Sequence, residues 1–501
     1  MNVKYAFISI ALLFLVGCND NDNDSAQTMA DEVREQLMIS EADTASSVFI
    51  SSLNLEVPTE NISAVEFSIA PKDGSFSEAI SAQYKISSLN YNDASLMLPI
   101  WGMYENFDNS IEVTLYFQDD SKISDTVILT APPYVDSNEI FDRIIKNESP
   151  TNEGISFSYF YLENNTDQGP VIVDIDGNVR WTFNPEMLSE PGHYRAAYFT
   201  SGGFKVQNGN KLITLNLDGT ISEVLISADG LSDIVPHHET TVGKRGYLLN
   251  INTTKSGVNI VEAIVIEVDG NGQLIQEWDF GEIISNYMLE NGDDPSTFVI
   301  DGVDWFHMNS AIYDPSDDSI IASSRENFVI KVDYETKKII WILGDETKYW
   351  ATFPSLLTLS LSSNDIKPMG EHALSLVNGE LMLFNNGQAS FNQPDGAPVG
   401  ETLSSSLGMK WAIDMGNMTA TNTWTYDSGL YSDICSSIYE KEGDHLVTYS
   451  SVDRRDPSLS RAIFRGIDAS QNVLFEFEHS NKGGACVTWN SDILNLSNLN
   501  F

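Results

Sequence analysis

Cations are scarce in this chain: 27 Lys and Arg stand against 72 Asp and Glu, a formal net charge of −45 at pH 7 over 501 residues. Such a field opposes nucleic acid and anionic membrane surfaces as partners, and it keeps the protein soluble. An anionic substrate would have to be met by local positive charge, so an arginine inside a pocket becomes informative. Cysteine is scarcer still, with Cys18, Cys435 and Cys486 making up the whole set. Their spacing is not that of a zinc site, so no metal is expected. Past residue 16 no apolar run reaches membrane-spanning length. No glycine-rich phosphate cradle is present either, which leaves no cofactor to expect.

What is present begins with a leader. Met1 to Lys4 is a short positive start, and Ala6 to Val16 is an uncharged apolar run of signal-peptide length. It closes on Leu15-Val16-Gly17-Cys18, which resembles the bacterial lipoprotein processing box. Residues 1–18 are therefore expected to be a signal with a lipid on Cys18, followed over 19–46 by a flexible acidic tether starting Asn19-Asp20-Asn21-Asp22. The expectation is an exported, periplasmic domain, with Asn19 after the cysteine leaning toward the outer membrane. In that compartment Cys435 and Cys486 could be bonded, though sequence alone leaves open whether they meet.

Residues 47–133 read as short alternating strands, such as Ala64 to Ile69 and Ile111 to Phe117, and so as a small β-sandwich. It could orient the rest on its tether or support a homodimer. A linker over 134–155, with a short helix around Asn138 to Lys146, leads into residues 156–501. There a unit recurs: an apolar strand, an Asp at a tight turn, and a return strand ending in an aromatic. Asp176, Asp218, Asp269, Asp333, Asp414 and Asp468 mark it, at separations of 42, 51, 64, 81 and 54 residues. A four-stranded propeller blade takes about 40–50 residues. Six units with insertions predict an all-β chain: a six-bladed β-propeller behind the sandwich.

The seven histidines are His193, His237, His238, His307, His372, His445 and His479. Three segments carry one just before an inner strand: Pro236-His237-His238-Glu239, Trp305-Phe306-His307-Met308-Asn309, and Glu371-His372-Ala373. Inner strands line a propeller's central channel, so these imidazoles should converge near its axis. Arg325, following Ser323-Ser324, should run back beside His307, and a guanidinium fork suits a tetrahedral oxyanion.

The segments DWFHMNSAIYDPSDDSIIASSREN, VDYETKKIIWILG, EHALSLVNGELMLFNNG and WAIDMGNMTATNTWTY together resemble the bacterial arylsulfate sulfotransferase family, over roughly residues 50 to 500. The resemblance implies a sulfuryl group moved from a phenolic sulfate donor to a phenolic acceptor, without a nucleotide. It places the sulfuryl-accepting histidine at His372, sulfate-binding groups at His307, Asn309 and Arg325, and a further histidine at His238 or His237, with His238 favoured by phase. The chain departs from the family in three places. Glu326-Asn327 replaces His-Gln after Arg325, Asn385 replaces Asp before Asn386, and Ala373 replaces an acidic neighbour of His372. Glu371 could orient His372 only if the backbone turned it inward. Rival readings are an aryl sulfate hydrolase using the same site and a propeller that binds ligands without catalysis.

Overall fold

Along Ile62–Ile69 the residues Val65, Phe67 and Ile69 are fully buried while Glu66 and Ser68 are not. That period of two is what a strand with one face on a core requires. The computed structural model describes residues 28–501 apart from 43–46, 137–144, 147–153, 165–168, 185–187, 189–194, 482–485 and 487. The lipid site expected at Cys18 and His193 lie outside the described residues. So does most of the helix expected from Asn138, although Ile145–Lys146 is a strand, paired with Val473–Ser480. Of the expected tether, residues 28–42 are described, and they carry regular structure. Met29–Val33 is a helix capped by Thr28, and Met38–Ala42 is a strand paired with Ile50–Glu56.

Two sheets form the N-terminal sandwich. One runs Met38–Ala42, Ile50–Glu56, Ser95–Trp101, Asn90–Asn92; the other runs Leu499–Asn500, Ile80–Lys85, Ile62–Ile69, Phe107–Phe117, Lys122–Ala131. The chain's last strand therefore belongs to the sandwich, parallel to Ile80–Lys85. The buried Arg180 guanidinium joins the two domains, pairing with Asp174 and donating twice to the Gly102 carbonyl at 3.1 and 2.7 Å.

Among the described residues six further sheets follow, each of four or five antiparallel strands. The inner strands Arg195–Thr200, Leu231–Val242, Met308–Asp314, His372–Val377, Ser437–Lys441 and Thr488–Leu494 touch one another in that order. Thr488–Leu494 completes the first sheet by pairing with Tyr159–Asn164, which lies against Arg195–Thr200 and closes the ring. The architecture is a β-propeller behind a sandwich.

The sequence repeat has a physical basis at both of its fixed points. Asp269 accepts from the backbone N–H of Asn271 and Gln273, and Asp468 does the same for Ser470 and Asn472. Each carboxylate thus satisfies donors that the tight turn leaves free. In the first sheet this task falls to Asp174, which holds Asp176 and Asn178 N–H, so the marker there is two residues earlier than the expected Asp176. The closing aromatic reaches the neighbouring blade: Trp181 donates to Leu217 O, Trp278 to Tyr334 O, and Trp424 stacks on His445 at 4.2 Å.

Candidate active site

The inner strands begin at one end of the channel, and there the backbone leaves the regular β conformation. His238, His307, Ala373, Cys435 and Cys486 all have φ between +48° and +59°. The pairing slips at the same places, between Pro236 and Thr240, Met308 and Ser310, and His372 and Ser375. A bulge turns a side chain off the strand's alternation, and left-handed non-glycine residues typically cost about 1–3 kcal/mol each. Repeated around the ring, they aim the imidazoles of His238, His307 and His372 at one place.

His372 is 6% exposed. The Asn386 amide donates to Ser432 O at 2.7 Å and Cys435 O at 2.9 Å, which fixes its oxygen toward His372 Nδ1 at 2.8 Å. Gly370 O stands 3.2 Å from the same nitrogen. Two acceptors require that Nδ1 carry the hydrogen, so Nε2 holds the lone pair, and it accepts from Cys435 N–H at 3.2 Å. Burial lowers the His372 pKa to about 3, the Asn386 bond opposes this, and the charges of His307 and Arg325 lower it further. The imidazole is neutral at any working pH.

His307 is held differently. Its Nδ1 meets Asp304 at 2.6 Å and Glu262 at 2.9 Å, and its Nε2 meets Arg325 at 2.7 Å and His238 Nε2 at 3.2 Å. Burial lowers its pKa, but the bonds to Asp304 and Glu262 outweigh burial and hold it above the ordinary value. Arg325 is fixed from behind by Glu326, fully buried, which takes its Nε at 2.8 Å and accepts from Phe391 and Asn392 N–H with its other oxygen. The loop after Asn386 therefore caps the arginine, and the Phe391 ring lies 5.0 Å from the guanidinium.

The structure brings His238, His307, Arg325 and His372 together, with His238 5.9 Å from His372 between ring centres. His237 lies toward Glu262, at 3.0 Å. Asn309 is displaced from its expected role: it donates to Glu371 O at 2.8 Å and lies against His372 Nδ1, behind the imidazole rather than at its lone pair. The Glu371 side chain does not orient His372, because Asn386 occupies that position. His445 and His479 sit apart, stacked on Trp424 and bonded to Thr488.

Sequence reading missed Glu262, Asp304, Asn386 as the orienting group, and Trp489, whose ring packs 5.0 Å from His238. Ligand-type atoms of His237, His238 and Glu262, and of Glu262, Asp304 and His307, lie within 4.8 Å of one another. These described groups are close enough to hold a cation, and here they share hydrogen bonds.

Cys435 and Cys486 are bonded. The bridge ties the loop that presents Cys435 N–H to the segment that ends in Trp489. A closed loop of 51 residues corresponds to about 4 kcal/mol in the chain-entropy account. Cys486→Ser is expected to lower the unfolding free energy by an amount of that order, with a fall in kcat, measured by denaturant titration and steady-state assay.

Below the imidazoles the channel widens to a cavity of about 240 Å³ lined by Tyr161, Tyr198, Tyr313, Tyr439, Glu239 and Asp492. Burial raises Glu239 to about 8 and Asp492 to about 7, and burial against the opposing charge of Lys348 raises Glu371 to about 7. In the unfolded chain these carboxyls ionise near pH 4. Their contribution is therefore complete below that pH and is lost as pH rises through 7 to 8, at up to about 1.4 kcal/mol per pH unit for each. His372 acts in the opposite sense, destabilising the fold as pH falls below 6.5. The midpoint of thermal unfolding should fall between pH 5 and 8, and Glu239→Gln should flatten that fall.

A profile of the arylsulfotransferase family matches residues 112–488, and one of the arylsulfotransferase Ig-like domain matches 46–132. Arylsulfate sulfotransferase AssT of Escherichia coli O6:H1 is 23% identical over 453 residues, covering 69% of this chain and 74% of its own. The AssT of Lelliottia amnigena is 22% identical over 467 residues, covering 70% and 75%. Among solved structures, BamB from Moraxella catarrhalis overlaps 70% of this chain and 93% of its own at 11% identity and a TM-score of 0.32, too loose to bear on function. With propeller and sandwich both matched, the chain belongs to the arylsulfotransferase family.

Proposed function

We propose that this sulfuryl-transferring enzyme works in two steps through a sulfohistidine at His372, taking the group from a phenolic sulfate ester and passing it to a phenol. The observation that carries the reading is the hydrogen-bonded orientation of His372, which leaves a neutral imidazole with its lone pair on Nε2. Nε2 attacks sulfur and the N–S bond forms as the S–O bond to the aryl group breaks. The electron pair leaves on the phenolate oxygen, which takes a proton from His238 or His307. Nδ1 keeps its hydrogen on Asn386, so the intermediate is a sulfated imidazolium. The acceptor phenol reverses the path: its oxygen attacks sulfur, the N–S bond breaks, and its proton returns to the same histidine.

Charge gathers on the sulfuryl oxygens in such a transfer, as it does in phosphoryl transfer. Arg325 and His307 supply the donors for it. Cys435 N–H holds the lone pair at rest and can turn to a sulfuryl oxygen once sulfur occupies Nε2. The test is release of a chromogenic phenol from its sulfate ester with and without excess acceptor phenol. Acceptor-dependent release with a new sulfated phenol supports transfer. Release that ignores the acceptor means hydrolysis, and no release from folded protein on several donors means a binding propeller.

The same reading places the protein outside the cytoplasm, held by lipid on Cys18, supported by the apolar leader and the Leu15-Val16-Gly17-Cys18 sequence. Labelled palmitate should enter the full chain and be absent from Cys18→Ser; equal labelling of both would sink this assignment.

A further inference from the structure

The grip on the sulfuryl oxygens carries a carboxylate that it does not need for orientation. Asp304 already holds His307 Nδ1, at 2.6 Å, and Glu326 fixes Arg325. Glu262 is additional, and it reaches His307 at 2.9 Å, His237 at 3.0 Å and His238 at 3.7 Å. It comes from a different element, the strand Val258–Val268. There the pairing with Tyr247–Lys255 slips between Ile251 and Thr253, and Glu262 itself has φ +48°. A strained bulge thus brings negative charge to a site for an anion, where it must weaken binding of every anion.

We propose that Glu262 is a specificity residue, setting the charge of the grip so that a singly charged sulfuryl ester is accepted and a doubly charged phosphoryl ester is refused. This rests on the sulfuryl-transfer reading above. Sulfate and phosphate monoesters share one tetrahedral shape, so hydrogen-bond geometry cannot separate them. They differ in charge once the phosphate loses its second proton, at a pKa of about 6. Around the grip, Arg325 and His307 face three carboxylates, Asp304, Glu262 and Glu326. His238 and His237 lie against the same Glu262, and further out stand the buried Lys348 and Glu371. One more negative charge on the ligand, separated from Glu262 by the imidazole and its hydrogen bonds, is worth at least roughly tenfold in affinity at an effective dielectric of about 20.

The test is calorimetric titration of the protein and of Glu262→Gln with phenyl phosphate from pH 5 to 8. Benzenesulfonate, a permanent monoanion, serves as the control for the protein's own titration. The ratio of the two Kd values isolates the second charge. In the parent protein that ratio should rise more than about tenfold between pH 5 and 8, and in Glu262→Gln the rise should shrink by about tenfold. Parallel profiles in the two proteins, a flat ratio in the parent, or no phosphate binding at pH 5 would each overturn the proposal. If Glu262→Gln does not fold, judged by circular dichroism, Glu262→Ser removes the same charge with a smaller side chain and carries the test. Aryl sulfate turnover is measured separately. Its absence would defeat the sulfuryl-transfer reading, whereas an unchanged binding ratio would defeat only the charge rule.

Discussion

His372→Asn should lower kcat/KM for acceptor-dependent sulfuryl transfer by about four orders of magnitude or more, the scale seen when a nucleophile that acts with fixed partners is removed. The argument is local. Every contact of His372 other than Nε2 serves to fix the ring: Asn386 and Gly370 on Nδ1, and Asn309 packed beside it. The partner groups exist to present one lone pair, and an asparagine in this pocket presents none to sulfur. Because burial holds the His372 pKa near 3, the acid limb of the rate profile should not report this residue down to about pH 4. Parallel measurement of circular dichroism separates lost chemistry from lost structure. A variant that folds and still labels covalently with donor sulfur would move the nucleophile elsewhere.

Arg325→Lys should lower kcat/KM by about 10²–10³-fold, nearly as much as Arg325→Met. Lysine keeps the charge but not the fork. In the structure Nε and one terminal nitrogen bind Glu326 while the other terminal nitrogen meets His307 at 2.7 Å. An ammonium can satisfy one of these directions, and with Glu326 buried beside it the lysine would turn toward the carboxylate and away from the sulfuryl oxygens. The measurement is kcat and KM with a chromogenic donor at saturating acceptor. A lysine variant close to the parent enzyme would mean that charge alone, without geometry, is what the arginine contributes.

Much of this was readable in the sequence because the blades advertise themselves. An Asp that caps its own turn and an aromatic that anchors the next blade are short-range requirements, so they recur wherever a blade does. A slip in the repeat, Asp176 for Asp174, came from two carboxylates in one turn, of which only the earlier caps it. His238, His307 and His372 were expected to converge because equal phase in the repeat means a shared place at the axis, and Arg325 because its strand runs back beside His307. Glu262 was not, because it sits on a third strand, where alternation points to the blade core, and only a bulge redirects it. A charged residue in the otherwise apolar run Ile260 to Ile266 was the available signal. Asn386 was noticed as part of a motif, but its role depends on the carbonyls of Ser432 and Cys435, 46 and 49 residues away. The pairing of Cys435 with Cys486 likewise needs the ring to be closed, which no local pattern reveals.

The strand Thr488–Leu494 fills the place inside Tyr159–Asn164, and Leu499–Asn500 fills another beside Ile80–Lys85. Each domain is thus closed by a strand far along the chain from the one it pairs with. Such long-range pairings form late in folding, because the entropy of closing the intervening loop must be met first. Until they form, the chain exposes two unpaired β edges and lacks the Trp489 wall of the site, so cooperative folding and chemistry arrive together.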